Sequence, residues 1–291
     1  MHPQNPYNKS YDLKQLSERH ADLQKHIILN PTGTETIDFG DAKAVFELNK
    51  AILLADFKLT DYQLPKGYLI APIPGRLEYL LQLKGFLAKE LNLDVSSPLN
   101  GLDIGSGANG IYCILAAQGF NWNMVGSDCD SKAVSIANKN VQRTKGLDEK
   151  IEIRLQKNKS FLYKDIIKPQ EQFDFTVCNP PFHSSKEEAL NGSLRKLKNL
   201  GFVSDSDQHR LNFEGQAGEL WCNGGEALFI KRLIKESLLF KDQVKVFSSL
   251  VSRSDHLPKI EKQLNKAKAK YAIIPMEQGN KISRIVVWRF V

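Results

Sequence analysis

The spacing of apolar positions changes near residue 98, and the change separates two kinds of region. Before it, residues 11–28 and 41–57 carry apolar side chains at helical spacing. In the second set Ala44, Val45, Leu48, Ile52 and Ala55 share one face, which predicts packing against the rest of the chain. Asn30-Pro31-Thr32-Gly33 divides the two helices, and Pro65-Lys66-Gly67 breaks the pattern after the second. Residues 68–73 read as extended and 76–91 as a further helix. From residue 98 onward short apolar runs alternate with amphipathic ones. Strands are predicted at 99–104, 123–127, 151–155, 173–178, 243–250, 270–277 and 283–290, and helices at 109–118, 131–144, 225–240 and 255–268. Gly119 is the expected C-cap of the first of these helices.

Alternation of this kind predicts an α/β domain with a doubly wound, mostly parallel sheet, covered on both faces and binding ligands beyond the carboxyl ends of its strands. The last two strands, divided by Gln278-Gly279-Asn280, form a hairpin. The expected organisation is therefore a mainly helical extension over residues 1–95 and an α/β domain over 96–291. Residues 183–218 show no periodicity and contain Gly192, Gly201, Gly215 and Gly218. A loop of that length is functional or disordered, and its place directly after strand 173–178 marks it as a substrate-binding insertion.

Composition narrows the class. At 42% apolar the chain is globular, and its longest apolar stretches, such as Ala51-Ile52-Leu53-Leu54-Ala55, are far shorter than the ~18 residues a membrane span needs. The opening MHPQNPYNKS has no apolar core of a secretory signal. Four cysteines (113, 129, 178, 222) lack paired spacing and fall in predicted core elements, the pattern of reduced thiols in cytoplasm and not of disulfides or a metal site. A net charge of +7 suits a polyanionic partner. Between residues 255 and 291 eight Lys/Arg face three acids, either a solvated helix face or a phosphate-binding one. Arg195, Lys196 and Lys198 form a second basic group, placed to hold phosphates beside the site described next.

Two motifs carry chemistry. Asn179-Pro180-Pro181-Phe182 closes the apolar strand 173–178. Proline fixes φ and removes a donor, so the corner is stiff and rich in acceptors, with an aromatic ring beside it. Acceptors for an exocyclic amine and a face for its ring suit adenine. Alone, this tetrapeptide is equally an ordinary turn. Upstream, strand 99–104 runs through Asp103 into Gly105-Ser106-Gly107-Ala108-Asn109-Gly110 and then a helix, the context that gives a glycine loop meaning. Gly105 and Gly107 admit close approach of a ligand to the backbone. About twenty residues on, the next strand ends in Asp128, where an acid accepts ribose hydroxyls. The spacing satisfies a dinucleotide fingerprint, but Asp103 would repel a pyrophosphate. It favours a cationic amino-acid moiety, directly or through water, and hence S-adenosylmethionine. Arg76, in Pro72-Ile73-Pro74-Gly75-Arg76, is positioned to meet that cofactor's carboxylate or, more plainly, a surface acid.

These residues resemble the Rossmann-like S-adenosylmethionine-dependent methyltransferases, in the amino-methylating branch. More narrowly, the chain is similar to the bacterial 23S ribosomal RNA adenine-N6 methyltransferase F family over nearly its whole length. His2-Pro3-Gln4-Asn5, the PIPGR segment, Cys178-Asn179-Pro180-Pro181-Phe182-His183, Glu219-Leu220-Trp221-Cys222, Gly224-Gly225-Glu226 and Ser249-Leu250-Val251-Ser252-Arg253 carry the resemblance. Asn109 departs from it, standing where many methyltransferases have a third loop glycine.

The resemblance implies a seven-stranded sheet with an antiparallel C-terminal strand. It further implies methylation of one adenine in 23S ribosomal RNA, free or in an assembling large subunit, by a cytoplasmic monomer that needs no metal. Catalysis would rest on Asn179, Pro180, Pro181 and Phe182, and cofactor binding on Arg76, Asp103, Gly105, Gly107, Asp128, Asn179 and Ser160, which aligns with a cofactor-adenine contact of the wider class. His183 is adjacent, but the chemistry does not require a base there. Three alternatives are a glutamine-methylating enzyme acting on release factors, which usually ends its motif in Tyr, a DNA adenine methyltransferase, for which no separate target-recognition domain is evident, and a non-catalytic RNA-binding or ribosome-assembly factor.

Overall fold

The computed structural model describes residues 1–182, 224–278 and 281–290. In chain order the elements are α1 (Leu13–Arg19), β1 (Ile27–Leu29), β2 (Glu35–Ile37), α2 (Ala42–Ala55), α3 (Ile73–Leu91), β3 (Asn100–Ile104), α4 (Ile111–Phe120), β4 (Asn123–Asp128), α5 (Ser131–Gln142), β5 (Ile151–Leu155) and β6 (Phe173–Cys178). They continue with α6 (Gly225–Ser237), β7 (Val244–Val251), α7 (Leu257–Lys266), β8 (Lys270–Gln278) and β9 (Lys281–Arg289). Seven strands form one sheet in the order β5-β4-β3-β6-β7-β9-β8. β5 through β7 run parallel, and β9 enters antiparallel between β7 and β8. The doubly wound sheet with a closing antiparallel hairpin is the expected fold class.

The two faces of the sheet bury separate apolar clusters. Leu102 and Ile104 of β3, Phe247 of β7 and Trp288 of β9 pack with Ile230, Leu233 and Ile234 of α6 and Ile260 and Leu264 of α7. Phe175 and Val177 of β6 pack with α4 on the other side, and that cluster is continuous with Leu48 and Ile52 of α2 and Leu80 and Leu83 of α3. Central strands buried on both faces read as short, mainly apolar runs, which is how β3, polar only at Asn100 and Asp103, and β6, polar only at Asp174 and Thr176, were legible as strands.

The first 95 residues thus share a core with α4. Two buried polar residues tie parts of this region to one another. Glu78 of α3, fully buried, accepts from the His2 backbone N–H at 2.7 Å and from Asn5 Nδ2 at 2.9 Å. Asn49 of α2 donates to the Ala71 carbonyl at 3.1 Å and accepts from the Ile73 N–H at 3.5 Å, setting the start of α3.

Local details differ from the expectations. The helical pattern at 11–28 yields α1 and a 3-10 turn over Ala21–His26, and then β1, which pairs with β2 from Ile27↔Ile37 to Leu29↔Glu35. α3 begins at Ile73, earlier than 76, because Pro74 sits in its first turn, where a missing N–H costs nothing. Gly119 is inside α4. The C-cap is Asn121, in the left-handed region at φ 59°, and Gly119 serves close packing, since a Cβ there would lie 3.3 Å from Phe57 Cε1. The turn residues Gly279 and Asn280 lie outside the described residues.

Candidate active site

β4, β3 and β6 are neighbours in register: Ile104 pairs with Ser127 on one side and Cys178 on the other. The residues that follow, Gly105, Asp128 and Asn179, therefore leave the sheet side by side. A crevice of about 600 Å³ opens there, lined by Gly105, Gly107, Asp128, Asn179, Pro181 and Arg76 among others. This is the position that parallel strands with opposite crossovers leave open for ligands.

The glycine loop is built by its own backbone. Gly105 and Gly107 adopt φ 79° and 62°, left-handed values that disfavour a side chain. Gly105 N and Ser106 N both donate to the Ser127 carbonyl at 2.9 Å, and Gly107 N donates to Asp128 Oδ2 at 2.9 Å. The other Asp128 oxygen accepts from Asp130 N at 2.9 Å. Each carboxylate oxygen keeps a lone pair, so the aspartate is oriented yet still able to accept from a ligand hydroxyl. Burial pushes its pKa up, against backbone donors at Asp130, Gly107 and Cys129. Asn109 serves in place of a third glycine. Its Nδ2 donates to the Leu69 carbonyl at 3.3 Å and its Oδ1 accepts from Ile111 N at 3.0 Å, capping α4.

Asp103 lies just beneath the lining, 1% exposed. Its Oδ1 has no hydrogen-bond partner among the described residues. Burial drives its pKa up to about 8, with Arg76 opposing and Asp128 adding. A buried acceptor without a donor is costly, and a cation above it removes that cost. The arrangement fits the ammonium and sulfonium of S-adenosylmethionine.

Asn179 and Arg76, 103 residues apart, are in contact: Arg76 Nη1 donates to Asn179 Oδ1 at 3.0 Å. The same nitrogen donates to Tyr112 Oη at 3.2 Å, and the guanidinium lies 5.5 Å from the Tyr112 ring centroid. Because a guanidinium only donates, it fixes which end of the Asn179 amide is oxygen and leaves that oxygen one lone pair. Burial raises the Tyr112 pKa to about 12, opposed by Arg76. Behind this pair, Tyr79 of α3 packs edge-on against Tyr112 at 5.3 Å, shares a 2.9 Å hydrogen bond with Ser248, and accepts from Cys178 N at 3.5 Å. The corner after β6 is thereby braced from α3, α4 and β7.

The structure thus brings Arg76, Gly105, Gly107, Asp128, Asn179 and Pro181 into one crevice, with Asp103 beneath it. Others fall elsewhere. Pro180 is buried outside the lining. Phe182 is half-buried and packs against the α3–α4 apolar cluster. Ser160 is exposed, because Asn158 Oδ1 accepts its N–H at 3.0 Å and turns it outward. Its neighbours Lys159, Phe161 and Leu162 face the crevice instead. Cys129 is exposed at the crevice and not in the core, since it follows the end of β4. His183, Arg195, Lys196, Lys198, Cys222 and the 183–218 segment lie outside the described residues.

Sequence reasoning missed Tyr79, Tyr112, Asn49 and Glu78. The last two left a signal, a polar residue on an otherwise apolar helical face. It also treated GGE and SLVSR separately. Glu226, fully buried, accepts from Ser252 N at 2.7 Å, Ser252 Oγ at 2.6 Å and Arg253 N at 3.4 Å and bonds His256 Nδ1 at 2.6 Å, joining the two motifs.

Known proteins resemble the chain over its whole length. The chain is 48% identical over 290 residues to a ribosomal RNA large subunit methyltransferase F of Christiangramia forsetii, covering 100% of both chains. It is 42% identical to the protein of that name from Klebsiella pneumoniae strain 342, covering 95% of it. Among solved structures, the hMettl16 catalytic domain in complex with MAT2A 3′UTR hairpin 1 superposes with a TM-score of 0.82 at 26% identity, covering 100% of this chain and 96% of that one. The N-terminal domain of human METTL16 in complex with SAH gives 0.77 at 26% identity, covering 100% and 99%. A family described as RNA methyltransferase matches residues 1–291, and the chain belongs to that family.

Proposed function

We propose that this protein transfers the methyl group of S-adenosylmethionine to the N6 amine of one adenine in 23S ribosomal RNA. The observation that carries the reading is Asn179: an amide oxygen oriented by Arg76, with one acceptor position left, in the same crevice as the glycine loop and Asp128. The N6 lone pair is delocalised into the purine ring. Acceptance of its hydrogens by Asn179 Oδ1 and the Pro180 carbonyl draws the nitrogen toward a tetrahedral, nucleophilic geometry. S-adenosylmethionine, when bound, supplies a methyl group already activated by positive sulfur. The enzyme's task is chiefly alignment, and the N6 proton that the methyl group displaces passes to solvent.

Each remaining residue has a part in that alignment. Asp128 takes the ribose hydroxyls, Asp103 the cationic end directly or through water, and Arg76 the carboxylate. The target adenine is unpaired or flipped, because N6 inside a duplex is out of reach. Phe182 stacks on it after leaving its apolar contacts, an interaction worth ~1–3 kcal/mol. Residues 1–95 serve as an RNA-binding extension to the catalytic unit 96–291, and 183–218, with Arg195, Lys196 and Lys198, as the phosphate-holding insertion. The protein acts as a cytoplasmic monomer without metal, on free RNA or an assembling subunit. No helix among the described residues is long and apolar enough to cross a membrane.

Mapping N6-methyladenine in ribosomal RNA from cells with and without the protein tests the reading. One 23S position is expected to lose its mark; an unchanged map overturns it.

A further inference from the structure

The wall of the crevice beyond Asp128 is a closed loop, residues 156–164. Gln156 N donates to the Asp128 carbonyl at 2.8 Å, and Gln156 Nε2 donates to the Lys164 carbonyl at 2.7 Å, tying the two ends of the loop together. Lys159, Phe161 and Leu162 of this loop face the crevice, and so do Phe229 and Arg232 of α6. The loop carries no regular backbone ladder of its own, so what fixes its outer side decides the width of the crevice.

That outer side is fastened to α6 by two charged side chains. Glu236 Oε1 accepts from three successive backbone N–H groups, Leu162 at 3.1 Å, Tyr163 at 3.0 Å and Lys164 at 2.8 Å, while Oε2 accepts from Leu162 at 2.9 Å. Consecutive N–H groups converging on one anion form a nest, here filled from within the protein. One turn earlier, Arg232 Nη2 donates to the Lys159 carbonyl at 2.8 Å. At its other end the same helix is held by Glu226, whose carboxylate binds the Ser252–Arg253 turn after β7. Helix α6 is therefore tied to the segments that follow two different strands of the sheet, β5 and β7.

We infer that Glu236, assisted by Arg232, is a positioning residue for the cofactor: it holds the 156–164 loop at the distance from Asp128 at which S-adenosylmethionine is gripped. The inference rests on the cofactor reading of this crevice. Glu236 does not line the crevice and acts only through the loop. Its carboxylate is matched to backbone donors, a charge-assisted set whose loss frees three amides at once. A carboxamide can still offer one oxygen to the nest, whereas a methyl cannot. The three side chains therefore form a graded series: carboxylate, amide, none.

The test uses the full chain and S-adenosylhomocysteine as probe. Glu236→Ala is expected to bind the probe about tenfold more weakly, the scale of a lost charge-assisted hydrogen bond, with Glu236→Gln intermediate. Hydrogen exchange at residues 162–164 should lose protection in the same order, and RNA affinity measured by fluorescence anisotropy should stay as in the unaltered protein. Arg232→Met, which leaves the nest filled, should weaken the probe by a smaller factor. Lost amide protection with unchanged probe affinity overturns the inference, and so does a parallel fall in probe and RNA affinity, the mark of general unfolding. A failure of the unaltered protein to bind the probe would instead strike the methyltransferase reading itself.

Discussion

Two crevices of nearly equal volume lie against the same sheet, and their charges are handled in opposite ways. One, about 580 Å³, borders Asn100 and Asn123 at the amino ends of β3 and β4. There Arg154 binds Glu171 at 2.6 and 2.8 Å and also holds Glu152 and the Ile166 carbonyl. Hydrogen bonding to Arg154 pulls Glu152 down to about 2. Glu171 is also lowered, burial being outweighed by the same arginine. The other, at the carboxyl ends, sits over Asp103, which burial holds near 8 and which has an oxygen without a partner. Carboxylates paired with a cation at one end of the sheet, where only Arg154 Nε is left without a partner, and an acid with a partnerless oxygen at the other mark the second end for a ligand. Volume alone does not separate the two; the pairing of their carboxylates does.

The contrast can be broken or sharpened by substitution. The largest effect is expected from Asn179→Ala, which removes the acceptor for the reacting amine. Methyl transfer, followed by tritium incorporation into RNA, should fall about 100- to 1000-fold, the scale of losing one aligned polar group in an active site. Binding of S-adenosylhomocysteine should change little.

Asp128→Ala should act on the other quantity. Loss of the ribose acceptor is expected to weaken cofactor affinity by about tenfold or more in calorimetry, and undiminished affinity would remove Asp128 from the site.

Asp103→Asn is expected to stabilise the ligand-free protein. The folded carboxyl titrates near 8 and the unfolded one near its ordinary value of about 4. Between those values the folded state retains a proton that the unfolded state has lost. Stability of the unaltered protein therefore falls as pH rises from about 4 to about 8, and is level above that. The variant should lack this slope and gain on the order of a few kcal/mol at pH 8, read from urea unfolding at several pH values.

At the satisfied end, Glu171→Gln should cost only about 1 kcal/mol, because the pair is partly exposed and screened. Its contribution is present above the ordinary carboxylate pKa and is lost as pH falls through the depressed folded value. Cofactor affinity should be untouched; a fall there would mean that the two ends are coupled.

Much of this comparison was legible in the chain. β5 and β6 were read with their observed limits, 151–155 and 173–178, because Ile151-Glu152-Ile153-Arg154-Leu155 alternates apolar and polar positions and Phe173 to Cys178 is apolar but for Asp174 and Thr176. The order strand, DxGxG, helix, strand ending in an acid, and a later strand ending in NPPF placed Gly105, Asp128 and Asn179 at strand ends, and parallel registration brings them together. What escaped was whatever depends on distance in space and not on spacing in sequence. The β1–β2 hairpin escaped because three-residue strands such as Glu35–Ile37 carry too few positions for a period to show. Ser160 lies beside the crevice and not in its lining, its N–H held by Asn158 Oδ1, a local hydrogen bond with no periodic trace. The Arg76–Asn179 contact joins residues 103 apart, and Glu236 looks like any solvated acid on α6 until its three backbone donors are seen.

Calorimetric titration of S-adenosylmethionine at pH 7, repeated in buffers of different ionisation enthalpy, tests most directly whether Asp103 is the charge that the fold leaves for the ligand. The unaltered protein should release close to one proton more on binding than Asp103→Asn does, as the cation forces ionisation of a carboxyl that holds its proton up to about pH 8. Equal proton release and equal affinity in the two proteins would contradict the account.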